Sequence, residues 1–329
     1  MLYQKVSDKT LATKQPLTNS IMSDFLQCAR RGYYQIVCNL KRAETPALRM
    51  GSIVHEGIEK QDPDIADEYY DLDEATHQQE YDSKVKELCI VKELIKGALE
   101  HWFNNGNEVL IAEMEFALPI INPKSGYKSR TFYLAGKIDG LEIDERGKIW
   151  LIEYKTTGQS IDRRYVDKLD LDMQATIYYY AAEKYVRETY DQSLEGILYR
   201  VMRKPSIRQR QHETLYDYIE RLQHDYATRP DFYFSEIAVP RKQKDLTQFQ
   251  QHLWECTLML MYMRRNNIWP MNTAACNDFG GCDFKPLCLQ VPDAEYTFEK
   301  GGLIDELGLL NQTNITMEGG DPFDDNVTD

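Results

Sequence analysis

Lys148-Ile149-Trp150-Leu151-Ile152-Glu153-Tyr154-Lys155-Thr156 is the stretch from which the rest of the chain can be read. Ile149 to Ile152 is apolar at every position, as in a strand buried on both faces in the middle of a sheet. Ending such a strand with an acid and a lysine is costly unless both are paired or bound to something. Period-two alternation puts Glu153 and Lys155 on one face and Tyr154 on the other. A buried Glu–Lys ion pair at a strand end is the plain alternative.

The run before it, Thr131 to Asp139, also reads as a strand, and Gly136-Lys-Ile-Asp139 closes it with a second acid. Asn122-Pro-Lys-Ser-Gly126 and Asp144-Glu-Arg-Gly147 are turn signals. Val109 to Leu118, Thr131 to Asp139 and Lys148 to Thr156 are therefore expected to form three antiparallel strands. Asp139 and Glu153 on neighbouring strands can hold a hard divalent cation such as Mg²⁺, with the Tyr154 carbonyl as a third ligand. Lys155 then points to the metal, where it can orient or deprotonate a water and meet phosphate charge. That chemistry suits hydrolysis of a phosphodiester. Gln174 and Tyr178 stand four apart on a helix predicted from about Leu169 to Arg187, so one face of that helix can cover the site. A helix starting near Pro46 carries Gly51 and His55 in Gly51-Ser-Ile-Val-His55. His55 is a candidate extra ligand that favours Mn²⁺. Glu115 is a further candidate from the preceding strand.

Outside this centre the spacing predicts helices over Ile21 to Tyr34, after the capping residues Thr18-Asn-Ser20, and over Glu87 to Phe103. Later come a strand at Leu194 to Met202, a helix at Thr214 to Tyr226, a strand at Asp231 to Val239 and a helix at Leu246 to Asn266. This order fits an α/β core with a crossover and a helical N-terminal lobe.

The 329 residues, 42% hydrophobic and 28% charged, suffice for a sizeable core. No run has the apolar length to span a bilayer. Met1-Leu-Tyr-Gln-Lys5 is not followed by an apolar stretch, so no signal peptide is expected and the cytoplasm is the expected location. The net charge of -14 alone argues against a nucleic-acid binder. The negative excess is concentrated, however: from Pro292 onward ten acids face the single base Lys300. Arg30, Arg31, Lys41 and Arg42, then Arg200, Arg203, Lys204, Arg208 and Arg210, are candidate phosphate contacts. Tyr33 and Tyr34 are candidates for stacking on bases. The acidic tail containing Phe323 is solubilising or binds a basic partner.

Seven cysteines, an odd number, argue against a disulfide framework. Cys276, Cys282 and Cys288 recur at even spacing and supply three of the four thiolates that a cubane iron–sulfur cluster or a tetrahedral zinc needs. Cys38, Cys89 and Cys256 are isolated and read as small buried hydrophobes.

The set Gly51/His55, Gly136/Asp139, Glu153/Lys155 and Gln174/Tyr178, in that order, resembles the RecB-like branch of the PD-(D/E)XK nucleases. The resemblance implies a restriction-endonuclease-like α/β core, with a mixed central sheet flanked by helices, a helical N-terminal lobe and a C-terminal Cys-rich segment. It implies a Mg²⁺- or Mn²⁺-dependent DNA exonuclease, with Asp139, Glu153, Lys155, Gln174 and Tyr178 catalytic and His55, Asp139, Glu153 and Tyr154 at the metal. The chain is also similar to AddB-type nucleases and to CRISPR-associated spacer-acquisition exonucleases, which carry one early and three late cysteines. On that likeness Cys28 joins Cys276, Cys282 and Cys288 around a [4Fe-4S] cluster, with zinc as the alternative. The late spacing departs from the familiar Cys-x2-Cys-x5-Cys. The implied layout is a lobe over 1–105, a nuclease core over 106–270, a cluster segment over 271–300 that closes on the lobe, and a flexible tail over 301–329. DNA is the implied partner, with a helicase, recombinase or single-strand-binding protein beside it and no membrane. The alternative is a nuclease subunit or DNA-binding module of a recombination or CRISPR-adaptation complex. No Gly-x4-Gly-Lys-Ser/Thr is present, so the chain is not itself a helicase motor.

Overall fold

The computed structural model describes residues 3–6, 14–40, 45–73, 77–103, 106–292, 294 and 298. The tail over 301–329, with Phe323, and the bases Lys41 and Arg42 lie outside the described residues. The fold is mixed α/β with two sheets. The first has β1 (Tyr3–Val6), β2 (Gln15–Leu17), β4 (Glu113–Ile121) and β5 (Lys128–Ile138), in the order β1-β4-β5-β2. The second has β3 (Glu108–Ile111), β6 (Gly140–Ile143), β7 (Ile149–Thr157), β8 (Leu194–Arg203) and β9 (Phe234–Val239), in the order β3-β6-β7-β8-β9.

The expectation of three antiparallel strands is thus corrected. The chain changes sheet at Asp139, where β5 ends and β6 begins, so the two acid-bearing segments are not hairpin partners. Gly140 makes the corner possible. It pairs with Ile152 across the β6–β7 ladder, and a Cβ there would sit 3.1 Å from the Ile111 carbonyl oxygen. β7 is central as predicted, antiparallel to β6 and parallel to β8, with Glu153 opposite Tyr199 and Lys155 opposite Val201.

A parallel pair needs a crossover. Two helices supply it, α5 (Arg163–Asp170) and α6 (Met173–Tyr190), where one helix from Leu169 was expected. The break comes at Leu171 and Asp172, and the Asp172 side chain caps α6 by accepting the Gln174 N–H. The segment expected as a strand from Asp231 begins as a helical turn, α8 (Pro230–Tyr233), and β9 starts only at Phe234.

The chain forms two compact units. One comprises Met1–Lys5, Glu44–Glu115 and Lys137–Lys242; the other Val6–Ala43, Phe116–Gly136 and Gln243–Asp329. In the first, α3 (Pro46–Lys60), α4 (Gln78–Trp102) and α7 (Leu215–Thr228) cover one face of the five-stranded sheet. Ile53, Val54, Val91, Ile95 and Leu222 form its core with Ile152, Tyr154, Leu198 and Met202. α4 begins nine residues before the expected Glu87, because its first turns are polar and exposed and carry no apolar period.

In the second unit, Thr18 caps α1 (Asn19–Gln27) through the Ile21 N–H. The helix expected to reach Tyr34 breaks at Cys28, whose backbone is extended. A short α2 (Ala29–Gly32) and a π-helical turn (Tyr33–Val37) follow. The long α9 (Gln243–Asn266) leads to a 3-10 stretch at Thr273–Gly280 and to α10 (Lys285–Cys288).

Candidate active site

The first unit brings His55, Asp139, Glu153, Lys155, Gln174 and Tyr178 together. Asp139 lies between β5 and β6, where no ladder uses its carboxylate. Its Oδ2 accepts the Tyr154 N–H at 2.9 Å, which ties the corner to the middle of β7. His55, on α3, places Nδ1 3.6 Å from the same oxygen, and its ring stands edge-on to Tyr154 at 6.1 Å. Gly51 on α3 lies beside β7, where a Cβ would make an ordinary contact with Thr156 Oγ1 at 3.4 Å.

Glu153 and Lys155 share a face, as alternation requires. Lys155 Nζ donates to Glu153 Oε1 at 2.6 Å and to Gln174 Oε1 at 3.0 Å, and lies 3.8 Å from Asp172 Oδ2. Gln174 turns its amide to the Tyr178 hydroxyl, donating Nε2–H at 3.0 Å. Helical spacing on α6 thus delivers Gln174 and Tyr178 to one place. Asp172 is a site residue that sequence reasoning missed. The available signal was its position as a helix-capping acid two residues before Gln174.

The second Glu153 oxygen, Oε2, is buried and has no hydrogen-bond partner. Such an atom is expensive in a finished core. Burial, with the Asp139 charge added, pushes the Glu153 carboxyl up to about 7 against the opposing pull of Lys155. Burial also works against charge on Asp139, yet His55, the Tyr154 N–H and Lys155 prevail and hold it below the usual carboxylate range. On His55, burial is outweighed by the Asp139 charge and hydrogen bond, so the imidazole is raised. On Lys155, burial is outweighed by Glu153 and Asp172, so the ammonium is raised as well. Protein atoms crowd His55 and Asp139, yet 35% and 20% of their side-chain surfaces stay open to solvent. The site is therefore recessed and reachable.

Among the described residues no three His, Cys, Asp or Glu side chains stand as a ready metal-holding group. Two carboxylates completed by waters are nevertheless an ordinary Mg²⁺ environment. The orphaned Glu153 oxygen and the neighbouring Asp139 fit it in donor type and charge. Glu115 is buried on β4. Glu113, two residues before it on that face, ion-pairs with Lys137.

The candidate phosphate contacts divide. Arg200 is fully buried. It donates to both Glu142 oxygens, at 2.5 and 2.7 Å, to Tyr154 Oη at 3.2 Å and to Glu236 at 3.2 Å, so it cannot reach a phosphate. Arg203 caps the Phe232 ring at 4.1 Å. In the second unit, Arg30 Nε donates to the Trp269 carbonyl and Arg31 pairs with Asp24. Tyr33 packs on Trp269 and Tyr34 on Phe284, and both residues are half-buried.

Cys28 and the late cysteines meet in the second unit. All four are free thiols. Cys28 Sγ accepts the Asn272 N–H at 3.4 Å, and the Arg30 N–H donates to Pro270 O at 3.1 Å. Burial raises Cys282 and Cys288, and the sulfurs of Cys28 and Cys276 raise both further. The set supplies four sulfurs, the number such a cluster takes, without standing as a ready metal-holding group among the described residues. Cys256 is buried, and Cys38 and Cys89 are half-buried.

Residues 16–289 match the family model of the PD-(D/E)XK nuclease superfamily. A search of curated proteins finds no match. Among solved structures, the crystal structure of SSO0001 is similar at 14% identity, covering 78% of each chain, with a TM-score of 0.30. No helix among the described residues is long and apolar enough to cross a membrane.

Proposed function

Since the chain belongs to the PD-(D/E)XK nuclease superfamily, we propose that it is a metal-dependent DNA exonuclease acting on single strands or duplex ends. The carrying observation is the unpartnered Glu153 Oε2 beside Asp139, with Lys155 held on the same face. Asp139 and Glu153 would hold Mg²⁺ or Mn²⁺, with the Tyr154 carbonyl and His55 as further donors. When bound, the cation supplies a Lewis acid for the phosphoryl oxygen and a more acidic water. Lys155 is kept charged by Glu153 and Asp172. Held there by Glu153 and Gln174, it would orient the attacking water and oppose the phosphate charge. Gln174 fixes the Lys155 ammonium, and Tyr178 fixes Gln174.

The four cysteines would hold a [4Fe-4S] cluster, with zinc as the alternative. Such a cluster would staple segment 271–300 to the N-terminal lobe. This is the layout of the AddB-type and CRISPR-associated relatives, and it suits a role in DNA recombination or repair beside a helicase or recombinase.

The test is end-labelled single- and double-stranded DNA, incubated with anaerobically purified protein and Mg²⁺ or Mn²⁺, beside Lys155→Ala. Degradation by the wild type and its loss in the variant are expected, and the product ladder gives the polarity. No cleavage of any substrate by cluster-loaded protein would overturn the stand-alone enzyme in favour of a partner-dependent subunit.

A further inference from the structure

Near the C-terminal end of β7 the carboxylate of Glu87 is faced by Arg49, Tyr70 and Lys204. Arg49 Nη2 donates to Glu87 Oε2 at 3.2 Å, and the guanidinium lies 5.2 Å over the Tyr70 ring. Arg49 Nε and Tyr70 Oη are buried without hydrogen-bond partners. Lys204 completes the group. Its backbone N–H donates to Thr157 O at 2.8 Å, carrying the β7–β8 ladder one residue past its end. Its ammonium makes no ion pair among the described residues. Burial lowers its pKa while the Glu87 charge resists. An Arg–Glu ion pair uses one Arg49 N–H and leaves Arg49 Nε and the Tyr70 hydroxyl, which burial and the Glu87 charge push up, without a well-formed hydrogen bond. A phosphodiester, with its negative charge and several acceptor oxygens, would engage all of them.

The location suits the same polymer that the catalytic face would cut. Gly51 on α3 lies beside Thr156. Arg49 precedes that contact by two residues, and His55 follows Arg49 by six, roughly 9 Å along the helix axis.

We propose that Arg49, Tyr70 and Lys204 form a phosphate subsite that grips the DNA backbone beside the bond to be cut, and that Glu87 occupies this subsite when DNA is absent. The subsite rests on the nuclease reading above. In it Glu87 is a competitor, so its neutralisation must strengthen DNA binding, opposite to the effect of removing a structural partner.

The test is equilibrium anisotropy of a labelled single-stranded oligonucleotide, with the full chain in Ca²⁺ across a salt series. Lys204→Gln and Arg49→Gln are expected to weaken binding roughly three- to tenfold, and each to flatten the salt dependence by about one charge. Glu87→Gln is expected to tighten binding several-fold. Thermal melts of all variants report folding. Wild-type affinity in both Lys204→Gln and Glu87→Gln, from protein that cleaves DNA, would overturn the subsite and leave the nuclease standing. A wild type that binds DNA and responds to these substitutions but cleaves nothing would support the subsite and overturn the nuclease. A wild type that neither binds nor cleaves would overturn both.

Discussion

Arg200 and Lys155 are basic residues on adjacent strands, close in register, yet they are embedded in opposite ways. Arg200 faces α4, where its guanidinium meets Glu142 in two parallel hydrogen bonds, Glu236, the Tyr154 hydroxyl and the Trp102 ring at 5.7 Å. Asn107 also donates to Glu142. Lys155 faces α6 among Glu153, Gln174 and Asp172, and the adjacent Glu153 oxygen is left unanswered. A buried charge whose partners are complete acts as architecture; one whose neighbour lacks a partner is waiting for a ligand.

Exchanging damage between the two faces should break this contrast most visibly. Lys155→Ala should lower cleavage per folded molecule by about 10²–10⁴-fold. Glu142→Gln should instead cost about 3–5 kcal/mol in urea unfolding by stranding part of the Arg200 charge, with near-normal cleavage per folded molecule. Equal loss of activity in the two, after correction for folding, would remove the distinction between the faces.

Metal should act on one face only. At a hundredfold excess over its Kd, Mg²⁺ or Mn²⁺ should stabilise the wild type by about 2.7 kcal/mol in a thermal melt. Asp139→Asn and Glu153→Gln should abolish that gain, and Glu142→Gln should retain it. A gain that survives both site substitutions would place the metal elsewhere.

Much of the catalytic face was legible because its residues obey short-range rules. Alternation fixed Glu153 and Lys155, helical spacing fixed Gln174 and Tyr178, and Asp139 stood out as the acid closing an apolar strand. The opposite face escaped because its partners are remote. Nothing near Arg200 announces Glu142 or Trp102, so it read as one more surface base. The change of sheet at Asp139 was also hidden, since an apolar run looks the same whichever sheet accepts it. The break at Leu171–Asp172 and the polar start of α4 were missed for lack of an apolar period.

An intermediate case lies on α3. Glu59 is pushed up to about 7 by burial, by a hydrogen bond with Glu113 and by that residue's charge, with Lys137 pulling the other way. A raised carboxyl binds its proton more tightly in the folded chain, so folding is favoured at low pH. That stability is lost as pH rises from about 4.5 to about 7. Glu59→Gln should therefore match the wild type below this window and be more stable above it, by about 1–2 kcal/mol given the 26% exposure of its side chain. A variant less stable than the wild type above this window would mean that the Lys137 ion pair, rather than the acid pair, governs Glu59.

Tyr154 offers the finest division, because it belongs to both faces through different atoms. Its backbone N–H holds Asp139, and its hydroxyl accepts from Arg200 at 3.2 Å. Tyr154→Phe keeps the backbone, the buried ring and the edge contact with His55, and removes only the hydroxyl. Arg200 retains Glu142 and Glu236, so the loss should be about 1 kcal/mol or less. Cleavage should stay within about twofold of the wild type, since less than 0.5 kcal/mol should reach the barrier. A tenfold fall in kcat with unchanged stability would show that the buried face tunes the chemistry through the Tyr154 side chain, and the division drawn along β7 would then have to be given up.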